Sequence, residues 1–235
     1  MNRKRIIIIC TPFSVIKEEE MMFVRNVYLE KHKVTYCPST LKVREALELV
    51  NKSGYRCIPV VAPDTNEYKG QIYKVDLLEH LYESGGKLED SVLLVVDGVD
   101  SFIHKDSSLS FALLTIDRLP FLAVTGENRE FLGIITHSVL LDLFRDGFGM
   151  KTGGYCFTVA VYDHSGAFLK LVKLLKTFNI EGAHTFGNGN ELIRRLTFTI
   201  SEDNEEVIEK LKEKIVKAGF RVLHVEKIEK EKVSL

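Results

Sequence analysis

Cys57-Ile58-Pro59-Val60-Val61 and, further along, Leu119-Pro120-Phe121-Leu122-Ala123-Val124 are short apolar runs that each carry a proline. Each reads as a buried strand. A turn follows each run: Pro63-Asp64 with Asn66 in one case, Gly126 with Asn128 in the other. Second strands come next, Gly70-Gln71-Ile72-Tyr73 and Phe131-Leu132-Gly133-Ile134-Ile135-Thr136, and helices open at Asp76-Leu77-Leu78 and Val139-Leu140-Leu141.

The segments upstream also correspond. Val34 to Leu41 reads as a strand turning into a helix, with Ser39 or Thr40 as cap and Gly54 as stop. Phe102 to Leu109 reads as a strand and cap, with Ala112, Leu113 and Leu114 on the helix. The order strand–helix–strand–strand–helix therefore occurs twice, over 22–84 and 90–147. Leu109 and Pro120 lie closer together than Leu41 and Pro59, by about two helical turns. The second repeat is expected to have a correspondingly shortened helix.

Gly147, Gly149, Gly153 and Gly154 mark a linker over 148–154, and the rhythm then changes. Phe157 to Val161 reads as a strand. Phe168, Leu171, Val172, Leu174 and Leu175 lie at helical spacing within 168–178. Strands around 183–186 and 195–200 flank Asn188-Gly189, a hairpin signal. Asp203-Asn204 opens an amphipathic helix through Ile208, Leu211, Ile215 and Ala218, Gly219 stops it, and Arg221 to Val225 closes the series. The order βαββαβ over 155–229 predicts a ferredoxin-like sandwich, so the fold class is α/β followed by α+β.

A chain of 235 residues, 45% hydrophobic and with formal net charge -1, is ordinary for a globular protein. It lacks the basic excess of a nucleic-acid binder. At the N-terminus Arg3, Lys4 and Arg5 precede the apolar run Ile6 to Cys10. That run is too short for a signal core of about 7–15 residues or a membrane span of about 20. Residues 1–20 are expected to be a tail or extension, with no membrane association. Cys10, Cys37, Cys57 and Cys156 form no C-x-x-C pair and are expected to be reduced thiols in a cytoplasmic protein that holds no metal. No nucleophile elbow, phosphate-binding loop or H-E-x-x-H stretch is present, and neither enzymatic activity nor a resident cofactor is expected.

The twofold pattern, with its Ile58-Pro59-Val60 and Leu119-Pro120-Phe121 signatures, resembles the tandem CBS pair. The C-terminal order, with Asp163-His164-Ser165-Gly166 between first strand and helix, resembles the ACT domain. CBS pairs that bind adenosine compounds carry G-x-x-[ST]-x-x-D, in which the hydroxyl serves a phosphate and the carboxylate the ribose hydroxyls. Here that motif is divided. Gly70 to Asp76 has the acid but Tyr73 at the hydroxyl position; Gly133 to Val139 has Thr136 but no acid. Asp76 and Thr136 are equally suited to capping the helices they precede. Gly54-Tyr55-Arg56-Cys57-Ile58-Pro59, Gly70-Gln71-Ile72-Tyr73-Lys74 and Gly133-Ile134-Ile135-Thr136-His137 resemble the cyclic di-AMP-binding CBS–ACT proteins of Gram-positive bacteria.

The resemblance implies a nucleotide site with walls from Ile58, Pro59, Tyr73, Leu119 and Pro120. Donors would be Arg56, Lys74 and His137, with Asp76 in one cleft and the Thr136 hydroxyl in the other. It also implies a homodimeric receptor acting on an unidentified protein partner. The alternatives are an AMP- or ATP-type adenosine sensor and a regulatory subunit of a metabolic enzyme, resembling acetoin-utilisation CBS–ACT proteins. For the ACT turn, a dimerisation role with no amino-acid ligand is expected.

Overall fold

The computed structural model describes residues 23–162, 165–187 and 193–230. Residues 1–20, Asp163-His164 of the ACT-like turn and the Asn188-Gly189 hairpin signal lie outside the described residues. The chain divides into two compact units between Leu140 and Leu141.

In the first unit, β1 (Leu29–Glu30) precedes two copies of one arrangement. The first copy runs β2 (Cys37–Pro38), α1 (Val43–Ser53), β3 (Cys57–Val61), β4 (Tyr68–Tyr73), α2 (Lys74–Tyr82). The second runs β5 (Phe102–His104), α3 (Leu109–Ile116), β6 (Phe121–Thr125), β7 (Phe131–Thr136) and α4 (His137–Gly147), which continues past the end of this unit at Leu140. Each copy pairs its first strand in parallel and its hairpin antiparallel. Both hairpins shift register at the same place, after Val60 and after Val124.

That register corrects two sequence expectations. Val60 pairs with Gly70 as Val124 pairs with Gly133, and Cys57 faces Tyr73 as Phe121 faces Thr136. Tyr73 and Thr136 are thus true counterparts, but Pro59 corresponds to Ala123 and Pro120 to Arg56. From the first helical residue to the next strand, Val43 to Cys57 and Leu109 to Phe121 differ by two residues, well short of two helical turns. The prolines misled because each sits where its missing N–H costs little. Pro120 precedes its strand. Pro59 has no partner on its β2 side, because β2 pairs only with Val60 and Val61. Gln71, opposite Pro59, spends its own N–H and C=O on Asp97.

The cap of α1 also differs. Ser39 and Thr40 lie in the turn before the helix, where the Ser39 N–H donates to the Val61 carbonyl at 2.9 Å. Lys42 is the N-cap instead, and its N–H donates to the Glu45 carboxylate at 2.8 Å. Gly54 at φ 74° supplies the left-handed stop. Ser108 caps α3 through the Phe111 N–H.

A link absent from the periodicity is β1. It pairs with β7 of the second copy, giving a sheet ordered β1-β7-β6-β5. The two copies share a core of Val61, Tyr68, Ala123 and Phe131, with the Tyr68 and Phe131 rings stacked at 6.2 Å.

The second unit is a four-stranded antiparallel sheet carrying two helices. Its elements are β8 (Gly154–Tyr162), α5 (Ala167–Leu174), β9 (Ile180–Gly187), β10 (Ile193–Ile200), α6 (Glu205–Lys217) and β11 (Arg221–Ile228), in sheet order β11-β8-β10-β9. This is the βαββαβ sandwich that the sequence predicts. Helix α5 ends at Leu174, short of the expected Phe178; Leu175 and Phe178 continue the apolar contact from turns. Asn204 caps α6 by accepting from the Glu206 N–H. The core side holds Phe157, Val159, Phe198 and Ile200 against Leu171, Leu211 and Ile215. On the other face Phe148 stacks on His184 at 3.9 Å, and the Thr199 hydroxyl donates to the Phe148 carbonyl.

Candidate ligand-binding site

A cavity of about 310 Å³ opens in the first unit. One wall is Tyr55 to Pro59, the lead-in to β3 and its first half. Leu29 of β1, with Lys33, Val34 and Thr35, also lines it. The second copy contributes Pro120, Phe121, Ile134 and Thr136. The site thus exists only because the copies pack together and because β1 crosses to β7.

Its chemistry is one-sided. Ile58, Pro59, Phe121 and Ile134 make apolar walls fit for a planar base. The charged side chains in the lining are Lys33 and Arg56, both cations, and no carboxylate lines it. Neither cation forms an ion pair among the described residues. Thr35 and Thr136 add hydroxyls, although Thr136 Oγ1 also accepts from the Val139 N–H at 3.4 Å, capping α4. The arrangement suits an anionic ligand with an aromatic, apolar moiety.

Of the residues inferred from sequence, Arg56, Ile58, Pro59, Pro120 and Thr136 meet in this cavity, whereas Tyr73, Lys74, Asp76, Leu119 and His137 do not line it. The Tyr73 hydroxyl is held by Gln71 Nε2 at 2.9 Å and lies against the Cys57 thiol. Lys74 acts through its backbone, donating its N–H to the Arg56 carbonyl at 2.9 Å. Asp76 sits in the first turn of α2, whose N-cap is Tyr73, so it does not cap the helix. Burial, with Glu79 and Asp97 nearby, raises its pKa. Leu119 ties back to the Ile116 carbonyl, and His137 Nε2 lies 3.2 Å from the Asp117 carbonyl oxygen. Leu29, Lys33, Val34, Thr35, Tyr55, Cys57, Phe121 and Ile134 complete the cavity without having been inferred. Tyr55 and Cys57 flank the chosen Arg56 and were legible by neighbourhood; Leu29 to Thr35 carry no local signal.

Cys57 is the nucleophilic side chain of the lining, and burial pushes its thiol up to about 12, with the charges of Asp76 and Asp97 adding to the rise. The Tyr73 hydrogen bond lowers it in part. Thiolate is the reactive form. Iodoacetamide at pH 8 should therefore alkylate Cys57 in the native protein at least tenfold more slowly than after unfolding. Peptide mass mapping over time checks this, and equal rates would contradict the buried, protonated thiol. Among the described residues no cluster of His, Cys, Asp and Glu is arranged to hold a metal, and no helix is long and apolar enough to cross a membrane.

Residues 24–83 match the CBS domain family model. No curated protein matches the sequence. Among solved structures, the chain resembles CbpB in complex with c-di-AMP at 19% identity, over 52% of this chain and 84% of that one, TM-score 0.49. It resembles CbpB from Streptococcus agalactiae at 19% identity, over 52% and 78%, TM-score 0.48. A CBS domain pair/ACT domain protein from Thermotoga maritima is 22% identical over 52% and 96%, TM-score 0.45.

Proposed function

We propose that this protein, whose residues 24–83 are a CBS domain, is a non-catalytic cytoplasmic receptor for cyclic di-AMP. The observation that carries the reading is a cavity with apolar walls, no carboxylate in its lining and two cations that form no ion pair among the described residues. A mononucleotide presents a ribose diol, and an acid is its natural acceptor. In cyclic di-AMP each 3′ oxygen is already esterified, so the diol and the need for that acid disappear. The phosphates would lie at Arg56 and Lys33, with an adenine against Ile58, Pro59 and Ile134. The C-terminal unit acts as an ACT domain, dimerising the protein and contacting a protein partner. Ligand favours one arrangement of that dimer and so shifts its population.

Isothermal titration should give a micromolar or tighter Kd for cyclic di-AMP and at least tenfold weaker binding of AMP and ATP. At 100 times Kd the ligand should stabilise the fold by about 2.7 kcal/mol. Arg56→Ala should weaken binding tenfold or more, in line with the ~1.5–3 kcal/mol of a hydrogen bond to a charged group. A second reading, a sensor of AMP or ATP, draws on Asp76 and Thr136 as the two halves of the ribose-phosphate motif. Equal affinity for AMP and cyclic di-AMP would establish it in place of the first.

A further inference from the structure

Residues 31–36 lead from β1 into β2, and Lys33, Val34 and Thr35 among them line the cavity of about 310 Å³. Lys31, His32 and Lys33 form one 3₁₀ turn, closed by the Val34 N–H donating to the Lys31 carbonyl at 3.0 Å. So tight a turn moves as a piece, and the position of Lys31 sets that of Lys33. Lys31 itself does not line this cavity. Its ammonium donates to Asn66 Oδ1 and sits 5.0 Å from the centre of the Tyr36 ring. Val34 and Tyr36 pack against the shared core, which gives the lysine turn no polar tie. Among the described residues, no other hydrogen bond joins residues 31–36 to a segment distant in sequence.

Asn66 is built into the fold on its other side. It lies in the turn between β3 and β4 at φ 57°, a left-handed conformation that asparagine tolerates better than most residues. Its backbone carbonyl accepts from the Phe131 N–H at 2.8 Å, and its Nδ2 donates to the Phe131 carbonyl at 3.2 Å. Oδ1 is thereby turned towards Lys31, the orientation in which both ends of the amide meet a complementary group. The register supplies a counterpart. Val61 pairs with Tyr68 as Thr125 pairs with Phe131, so Arg129 stands in the second copy where Asn66 stands in the first. Arg129 is also left-handed, at φ 62°, and its guanidinium donates to the Val99 carbonyl. In each copy the hairpin turn thus ties down the segment that leads into that copy's first strand. Of these two segments, the one in the first copy lines the cavity.

We infer that Asn66 is a positioning residue for the ligand: through Lys31 it fixes, at the cavity, the turn that carries Lys33 and the chain that carries Thr35. This rests on the nucleotide reading above, in which Lys33 meets a phosphate.

Asn66→Gly is the test, because glycine keeps the left-handed backbone and the carbonyl bonded to Phe131 while removing both side-chain bonds. Titration calorimetry with cyclic di-AMP on the full chain should show an affinity at least fivefold below wild type. The decisive readout is coupling to Lys33. Lys33→Ala should weaken binding at least fivefold in the wild-type background. In the Asn66→Gly background it should cost less than twofold, because the lysine is no longer held at the cavity. Lys31→Met, which leaves Asn66 and its backbone untouched, should behave as Asn66→Gly does and decides the matter if that variant fails to fold. Wild-type affinity in either variant, or an equal loss from Lys33→Ala in both backgrounds, would overturn the assignment while leaving the receptor reading standing. Failure of the wild-type chain to bind cyclic di-AMP would instead remove the receptor reading, and this inference with it.

Discussion

Gly133→Val should abolish cyclic di-AMP binding, with affinity falling at least a hundredfold, while most of the first unit stays folded. Gly133 lies in β7 opposite Glu30 of β1. A Cβ at this position would run into the Leu29 backbone carbonyl and lie 2.9 Å from the Tyr28 ring. Backbone cannot rotate away as a side chain does, so β1 must leave the sheet. Its two pairings, Leu29 with Ile134 and Glu30 with Gly133, leave little to hold it. The wall it carries, from Leu29 to Thr35, would then be displaced from the cavity. The segment before it stays anchored by Val24 N–H to the Ser107 carbonyl at 2.9 Å and by Arg25 to Asp106 at 2.6 Å. The stability loss should therefore resemble a local overpacking, about 1–3 kcal/mol. Titration calorimetry and a denaturant melt measure both effects. Wild-type affinity in this variant would mean that β1 does not form a wall of the ligand site.

Phe157→Ala should be the most destabilising single truncation in the second unit, at about 3–5 kcal/mol. Phe157 is fully buried in the central strand β8, stacked on Phe198 with ring centres 5.2 Å apart and planes 3° from parallel. Removing the ring leaves a void between the sheet and both helices, and a close-packed core collapses only partly into such a gap. Urea denaturation followed by circular dichroism gives the number. A loss below about 1 kcal/mol would show that the helices can close over the site, contrary to the packing of Leu171 and Ile215 there.

Much of the fold was legible because it is local. The helices of both copies and of the sandwich follow from apolar residues at helical spacing. Ser108 and Asn204 act as the caps that their residue types predict. The strand Phe131–Thr136 has the bounds the sequence suggests, since an apolar run between Asn128 and a helix start has few alternatives. The errors fell where a residue type carries two meanings. Pro59 and Pro120 look like one signature repeated, yet one lies within a strand and the other before one, because a proline is tolerated wherever no N–H is owed. Ser39 and Thr40 look like caps, but the Val61 carbonyl claims this turn.

By itself the sequence determined the twofold repeat, the βαββαβ sandwich and one arm of the cavity, Arg56 to Pro59, since each of these depends on spacing along a few consecutive residues. The tertiary structure alone decided which residues line the cavity. The G-x-x-[ST]-x-x-D pattern puts Tyr73 and Thr136 at equivalent positions, and their hairpins confirm the equivalence. Yet Thr136 lines the cavity, whereas the Tyr73 hydroxyl is held by Gln71. The cause is β1, two residues that pair with β7 and complete the sheet of the second copy. That pairing brings Leu29 to Thr35 over Ile134 and Thr136 and breaks the symmetry of the repeats. Strand pairing between residues a hundred positions apart leaves no period in the chain; it is set by the unsatisfied edge of β7 and by Gly133, whose missing side chain lets the Leu29 backbone lie against it.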